Sequence, residues 1–203
     1  MAERAQDLAP QGALEAAIRP RGVRLGERRL GKIELRGDPA DRSFMAAVGR
    51  TVDLLLPSEP NTTAGRGDLA ALWLGPDAWL LTCPPDKVAA HVGALRKVLA
   101  DVHAGITDVS DGRVALRLAG PNARDVLAKG CPLDLHPRVF AAGRCAQSLL
   151  AKASVVIHLS DDDAQRGPTF ELYVARSFAH YLWAWLDDAG REYGVQVEVE
   201  AAA

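Results

Sequence analysis

The sequence predicts an α+β fold built from two pseudo-repeated split βαβ halves, each an antiparallel sheet with helices on one face. Three observations predict it. Short apolar runs with strand-like alternation are interspersed with stretches of three- and four-residue periodicity, the signature of amphipathic helices. The order strand, helix, strands, helix occurs twice along the chain. Matching signals recur at offsets of roughly 80 to 92 residues: Gly37-Asp38-Pro39 with Gly120-Pro121-Asn122, Gly49 with Gly130, and Pro57 with Pro137.

The elements follow in order. Residues 1–30 read as a mobile, partly basic N-terminal arm, and residues 31–203 as one α+β domain with halves of about 31–104 and 105–203. Lys32–Arg36 alternates through Ile33 and Leu35 as a strand. Asp38 before Pro39 is a helix-start pair, a capping carboxylate followed by a proline whose missing N–H is harmless in the first turn. That helix is expected to run to about Val48 and stop at Gly49. Thr51–Leu56 reads as a strand closed by Pro57, and Ser58–Asp68 as a polar loop. Leu69–Leu74 and Ala78–Cys83 flank Gly75-Pro76-Asp77, a hairpin signal. Val88, Val92, Leu95, Leu99 and Val102 mark the next helix.

In the second half Val114–Leu118 is a strand, and Gly120-Pro121-Asn122 opens a short helix ending at Gly130. Ala146–Lys152, Ser154–Leu159 and Thr169–Val174 are strands. Ser177 to about Asp188 is a helix with Phe178, Leu182, Trp185 and Leu186 on one face. Val195, Val197 and Val199 alternate in a last strand.

Composition excludes several classes of function. The 203 residues are 48% hydrophobic and 25% charged, with a formal net charge of −2, which does not suit a dedicated nucleic-acid binder. No run approaches the roughly 18 apolar residues of a membrane span, and the first residues lack a signal-peptide pattern. Cys83, Cys131 and Cys145 are too scattered for a disulfide framework, so a cytoplasmic protein is expected.

Catalytic motifs are scarce. There is no Gly-x-Ser-x-Gly elbow, no Gly-x-Gly-x-x-Gly opening a helix, and no Gly-Lys-Ser/Thr phosphate loop. Cys131, His136 and Cys145 could in principle ligate a metal, but they lack the close Cys-x-x-Cys pair, and buried thiols plus a turn histidine are the plainer account. Asp161-Asp162-Asp163 reads as a solvated hairpin loop. Asp108-Val109-Ser110-Asp111 offers side chains that fix a turn through backbone N–H groups. Asn61-Thr62-Thr63 and Arg66-Gly67-Asp68 match extracellular motifs that are out of place here. The histidines His91, His103, His136, His158 and His180 are dispersed, and His158 is expected to face outward or to be paired within its strand. The basic stretch Arg19–Arg36 reads as a solvated arm, as a docking segment for an acidic partner surface, or, third and weakest, as a nucleic-acid-binding arm, which the whole-chain charge does not support.

Longer segments carry a resemblance. Leu72-Trp73-Leu74-Gly75-Pro76-Asp77-Ala78-Trp79-Leu80-Leu81, Thr107-Asp108-Val109-Ser110 and Gly130-Cys131-Pro132-Leu133-Asp134-Leu135-His136-Pro137 resemble the gamma-subunit family of heterotetrameric sarcosine oxidases. So do Gly143-Arg144-Cys145-Ala146-Gln147-Ser148-Leu149-Leu150-Ala151-Lys152 and Tyr173-Val174-Ala175-Arg176-Ser177-Phe178-Ala179 followed by Trp185-Leu186. The resemblance implies a bacterial cytoplasmic complex of alpha, beta, gamma and delta subunits that demethylates sarcosine to glycine. It passes the one-carbon unit to tetrahydrofolate and forms hydrogen peroxide. It also implies FAD, FMN, NAD, tetrahydrofolate and zinc on the other subunits and none bound by this chain alone, alpha as the direct contact, and no nucleic-acid or membrane partner. The implied fold is similar to the folate-binding part of the glycine-cleavage T-protein.

The departures from that relative bear on chemistry. Where its folate-contacting carboxylate would stand, within Lys152–Leu159, this chain has Ala153-Ser154-Val155-Val156-Ile157-His158. Lys129-Gly130-Cys131 matches the start of a folate-binding iron–sulfur repair motif, but Pro132-Leu133-Asp134 then breaks it. The expectation is therefore a structural subunit with no catalytic, cofactor-binding or metal-binding residues of its own. The rival is a stand-alone folate-binding or aminomethyl-transfer protein, which needs a carboxylate facing a pocket near Val155–His158.

Overall fold

Backbone pairing organises the chain into two sheets whose inner faces meet. The structure, a computed structural model, describes residues 22–199. The part of the expected arm at residues 1–21 lies outside the described residues.

The first sheet comprises β2 (Gly31–Arg36), β3 (Thr63–Arg66), β4 (Leu69–Gly75), β5 (Ala78–Cys83) and β6 (Gly105–Asp108), in the order β3-β4-β5-β2-β6. Helices α1 (Arg42–Val52) and α2 (Val88–Val98) belong to this half. The second sheet contains β1 (Val23–Arg28), β7 (Arg113–Ala119), β8 (Arg144–Leu150), β9 (Ala153–Asp163), β10 (Gly167–Ala175) and β11 (Val195–Glu198). Its order is β11-β1-β7-β10-β9-β8, and its helices are α3 (Ala123–Ala128) and α4 (Ala179–Gly190). Replacing β2 through β6 by β7 through β11 turns the first order into the second, with one addition. In the second sheet β1 is inserted between β7 and β11, antiparallel to the former and parallel to the latter. The repeat expected from the sequence is thus a repeat of topology.

The insertion of β1 corrects the reading of residues 22–30 as part of an arm. Val23 and Leu25 alternate into the second core, fully buried, while Arg24 pairs with Glu198 at 3.0 Å. Arg24, Gly26 and Arg28 all lie within this internal strand. The boundary between halves also moves, because β6 pairs with β2 in the first sheet and not with the second half.

Three apolar clusters fill the layers. Ile33, Leu35, Trp79 and Leu81 pack with Phe44, Val48 and Leu95 between the first sheet and its helices. Leu116, Leu118, Phe170 and Leu172 pack with Val126, Leu182 and Leu186 on the outer side of the second sheet. Leu72 and Leu80 of the first sheet meet Ala115, Cys145, Val156 and Tyr173 of the second. The layers therefore run helices, sheet, sheet, helices. Each sheet has helices on one face, as expected, and the other face is closed by its counterpart.

Several local expectations are corrected. The cap of α1 is Asp41, whose carboxylate accepts from the N–H groups of Ser43 at 2.7 Å and Phe44 at 3.3 Å. Asp38 instead accepts from the N–H of Ala40, closing a turn around Pro39. The helix passes Gly49, because Phe44, Val48 and Val52 form one buried stripe, and ends where Asp53 turns left-handed. Thr51–Leu56 is accordingly not a strand. Leu54 and Leu56 are buried and Leu55 is exposed, an alternation without a strand partner.

The expected loop Ser58–Asp68 contains β3, which lacks apolar periodicity and is held by its backbone pairing with β4. Asp161–Asp163 extend β9 opposite Thr169, Pro168 and Gly167. In the helix expected from Ser177, α4 begins at Ala179, and Phe178 is exposed and edge-on to Tyr181. In β11 only Val195 packs on the core, while Val197 is exposed. No described helix is long and apolar enough to cross a membrane.

Candidate functional site

Strand register builds the site. On β10, Phe170, Leu172 and Val174 point toward the helices, so Glu171 and Tyr173 point toward the other sheet. Glu171 stands opposite Arg117 on β7 and opposite His158 on β9. The next row on the same face, Ala115, Tyr173 and Val156, is part of the apolar seam between the sheets. A polar row thus borders the seam, and a cavity of about 880 Å³ opens over it. The opposite wall comes from the β3–β4 hairpin, Thr82 and the Pro84–Asp86 turn, and Arg28 and Arg29 stand at its edge.

Burial and pairing set the electrostatics. Arg117 donates to one oxygen of Glu171 through both Nε, at 2.8 Å, and Nη2. Glu171 and His158 are both buried, at 4% and 7% exposure. Burial pushes the His158 imidazole down to about 4, so it is neutral near pH 7. Its Nδ1 is buried with no hydrogen-bond partner among the described residues. Burial first, and the charge of Glu171 second, raise Tyr173 above the usual phenol range. On the far wall Asp68 accepts from Lys87 Nζ at 2.6 Å.

His158 thus departs from expectation, being neither outward-facing nor paired. The histidine sits where strand alternation turns it toward the second sheet. His103, His136 and His180 are exposed and His91 is half-buried. Cys131, His136 and Cys145 do not converge, and no described group of three His, Cys, Asp or Glu side chains could hold a metal ion. Cys145 donates its thiol toward the carbonyls of Thr62 and Trp73, each at 3.4 Å, and burial raises it to about 11.

The two short motifs have structural work. Asn61 O accepts from Cys145 N at 3.0 Å, and Thr63 N and Oγ1 both donate to Gly143 O, so this segment joins the two sheets. Arg66 and Asp68 of the β3–β4 turn pair with Asp53 and Lys87. Asp108 Oδ1 accepts from the Ser110 N–H at 2.9 Å, the turn-fixing role expected of that segment, and Ser110 Oγ accepts from the distant Lys32 N–H at 2.9 Å. Asp162 pairs with Arg124 at 2.7 Å, and Asp161 and Asp163 pair with Arg166.

Within the described residues the basic stretch is carried by β1 and β2, with Arg29 and Arg36 exposed. Lys32 is buried, its Nζ donates to Leu30 O at 2.7 Å, and burial lowers its pKa. Arg36 pairs with Glu34 and Asp77. Between Gly22 and Arg36 this is not a solvated arm.

Sequence reasoning missed Arg117 and Glu171. Their signal was one charge inside each of two apolar strands, between Leu116 and Leu118 and between Phe170 and Leu172. The carboxylate sought near Val155–His158 stands one strand away.

Residues 36–192 match the family described as "Sarcosine oxidase, gamma subunit family". The chain is 30% identical over 194 residues to the sarcosine oxidase subunit gamma of Corynebacterium sp. (strain P-1), covering 95% of this chain and 89% of that one. A chain of the heterotetrameric sarcosine oxidase of Corynebacterium sp. U-96, solved with pyrrole 2-carboxylate, superposes with a TM-score of 0.77 at 30% identity. The match covers 93% of this chain and 97% of that one. The glycine cleavage system aminomethyltransferase T of Bartonella henselae shares the fold, with a TM-score of 0.65 at 18% identity over 91% of this chain and 50% of that chain. With the family match spanning both sheets and the solved relative superposing along almost its whole length, this chain belongs to the sarcosine oxidase gamma subunit family.

Proposed function

We propose that this chain serves as the gamma subunit of a heterotetrameric sarcosine oxidase, packing on the alpha chain as a structural subunit without chemistry of its own. The complex oxidatively demethylates sarcosine to glycine in the cytoplasm, transfers the one-carbon unit to tetrahydrofolate and releases hydrogen peroxide. FAD, FMN, NAD, tetrahydrofolate and zinc are carried by alpha, beta and delta. The carrying observation is the end-to-end superposition on a chain of the heterotetrameric enzyme, over 93% of one and 97% of the other. The cavity supports the same reading: Glu171 is tied to Arg117, which suits a stabilised anion more than a general base.

Co-expression with alpha, beta and delta subunits, followed by affinity capture on this chain, tests the proposal. The expected product is a yellow, flavin-containing assembly with sarcosine-dependent peroxide production. A colourless monomer indifferent to the other subunits would overturn it. Micromolar binding of tetrahydrofolate by the chain alone would favour the folate-binding rival instead.

A further inference from the structure

Four strands end the two sheets: β3 and β6 the first, β11 and β8 the second. An edge strand offers the backbone N–H and C=O groups of alternate residues to any chain that pairs with it, and folded proteins blunt such edges by keeping them short or charged. β3, β6 and β11 are four residues long, and each carries a charged side chain, Arg66, Asp108 and Glu198 respectively. β8 is seven residues long and uncharged from Cys145 through Leu150. Its one charge, Arg144, is paired with Glu59 at 3.3 Å.

The β8–β9 register shows which groups are open. Leu150 and Ala153 close the two-residue turn Ala151-Lys152 and so form a hydrogen-bonded pair. Alternation then bonds Ser148 to Val155 and Ala146 to Ile157, and directs the N–H and C=O of Gln147 and Leu149 away from β9. Cys145 points the same way, but its N–H donates to Asn61 O at 3.0 Å, beside the bridge between Thr62 and Arg144. Past that cover, the N–H groups of Gln147 and Leu149 have no hydrogen-bond partner among the described residues. Both residues are exposed, Leu149 at 52%.

We propose that this open edge receives an extended segment of another subunit of the complex, added to the second sheet as a strand beside β8. The assignment rests on the gamma-subunit reading. Pairing through backbone groups sets the form of the partner, an extended chain, and the side chains of β8 set its composition. The uncharged run selects uncharged residues along the middle of the added strand, one of them apolar against Leu149. Lys152 is exposed and has no ion-pair partner among the described residues, which selects a carboxylate at the end nearest the turn.

The test compares the chain alone with the complex assembled by co-expression with alpha, beta and delta subunits. Amide exchange at Gln147 and Leu149 is expected to be fast in the chain alone and at least about tenfold slower in the complex. Leu149→Pro removes an N–H that pairs with nothing in the chain, whereas Leu149→Ala shortens the side chain and keeps the N–H. Leu149→Pro is expected to lower recovery of the flavin-containing assembly about tenfold, and Leu149→Ala no more than about threefold. Equal losses would assign the contact to side-chain packing and overturn the strand addition. Unchanged exchange at Gln147 and Leu149 in an intact complex would overturn it too, and that measurement needs no variant. Protection that rises with the concentration of the chain alone would give the edge to a second copy and overturn the choice of partner. A native chain that recovers no assembly would sink the gamma-subunit reading and this assignment with it, a result distinct from an assembly in which β8 stays open.

Discussion

Arg117 and Glu171 stand directly opposite one another on β7 and β10, and two guanidinium nitrogens of Arg117 converge on a single carboxylate oxygen of Glu171. The pair is unequal in its access to water: the Glu171 side chain is 6% exposed and that of Arg117 29%. Removing the arginine takes two donors from a buried carboxylate, whereas removing the glutamate leaves a cation that reaches solvent. Arg117→Leu is therefore expected to cost about 3 kcal/mol and Glu171→Leu about half that, with the double variant recovering most of the loss. Urea unfolding of the three variants checks the order, and equal single losses would contradict the asymmetry.

The pH dependence of stability follows from His158. Its folded value is about 4, against about 6.5 for the unfolded chain. Between those limits the unfolded state binds the extra proton, so stability falls as pH falls through this window and is unaffected by this group above it. The full effect is about 3 kcal/mol, in a ring flanked in its row by Glu171. Unfolding midpoints from pH 4 to 7 are expected to show that slope in the native chain and a shallower one in His158→Phe.

Gly120 ties β1 into the second sheet. Its φ of +122° suits glycine, and a Cβ there would lie 2.4 Å from Gly22 O. Gly22 O in turn accepts from Asn122 N, so the crowding falls on the contact that starts β1. Gly120→Ala is expected to cost about 3 kcal/mol or more. At Gly67, where φ is +60° and nothing lies within 4 Å, the same change should cost only about 1 kcal/mol. Denaturant midpoints of the two variants separate a packing clash from backbone strain alone.

The two aspartates before α1 are distinguishable by substitution. Asp41 accepts from two N–H groups of the first turn, and Asp38 from one N–H outside the helix. Asp41→Ala should lower the thermal midpoint more than Asp38→Ala. The reverse order would return the cap to Asp38.

Much of the fold was legible because burial leaves a periodic trace. Leu69–Gly75 with Ala78–Cys83, and the run from Ala153 through Ala175, read as hairpins because both carry dense apolar strands around recognisable turns. Val88, Leu95 and Leu99 marked α2 because they bury one helical face. β3 left no such trace, since Thr63-Ala64-Gly65-Arg66 pairs through its backbone and hardly enters a core. Leu54 and Leu56 misled for the opposite reason: they alternate into a core without a neighbouring strand. The site was hardest to see. Arg117, His158 and Glu171 are separated by 41 and 13 positions in the chain and meet only through strand register.

The α+β class, the duplicated order of elements and the family were readable from the residues alone, because local periodicity and long motifs survive without any knowledge of contacts. Three-dimensional contacts were needed to establish that β1 is an internal strand, that the two sheets close on each other, and that an ion pair and an imidazole with an unpartnered Nδ1 line the space between them. Apolar spacing reports whether a face is covered. It does not say what covers it, because a strand face is buried alike by helices or by another sheet, and one charge among many apolar residues acquires a role only when its cross-strand neighbour is known.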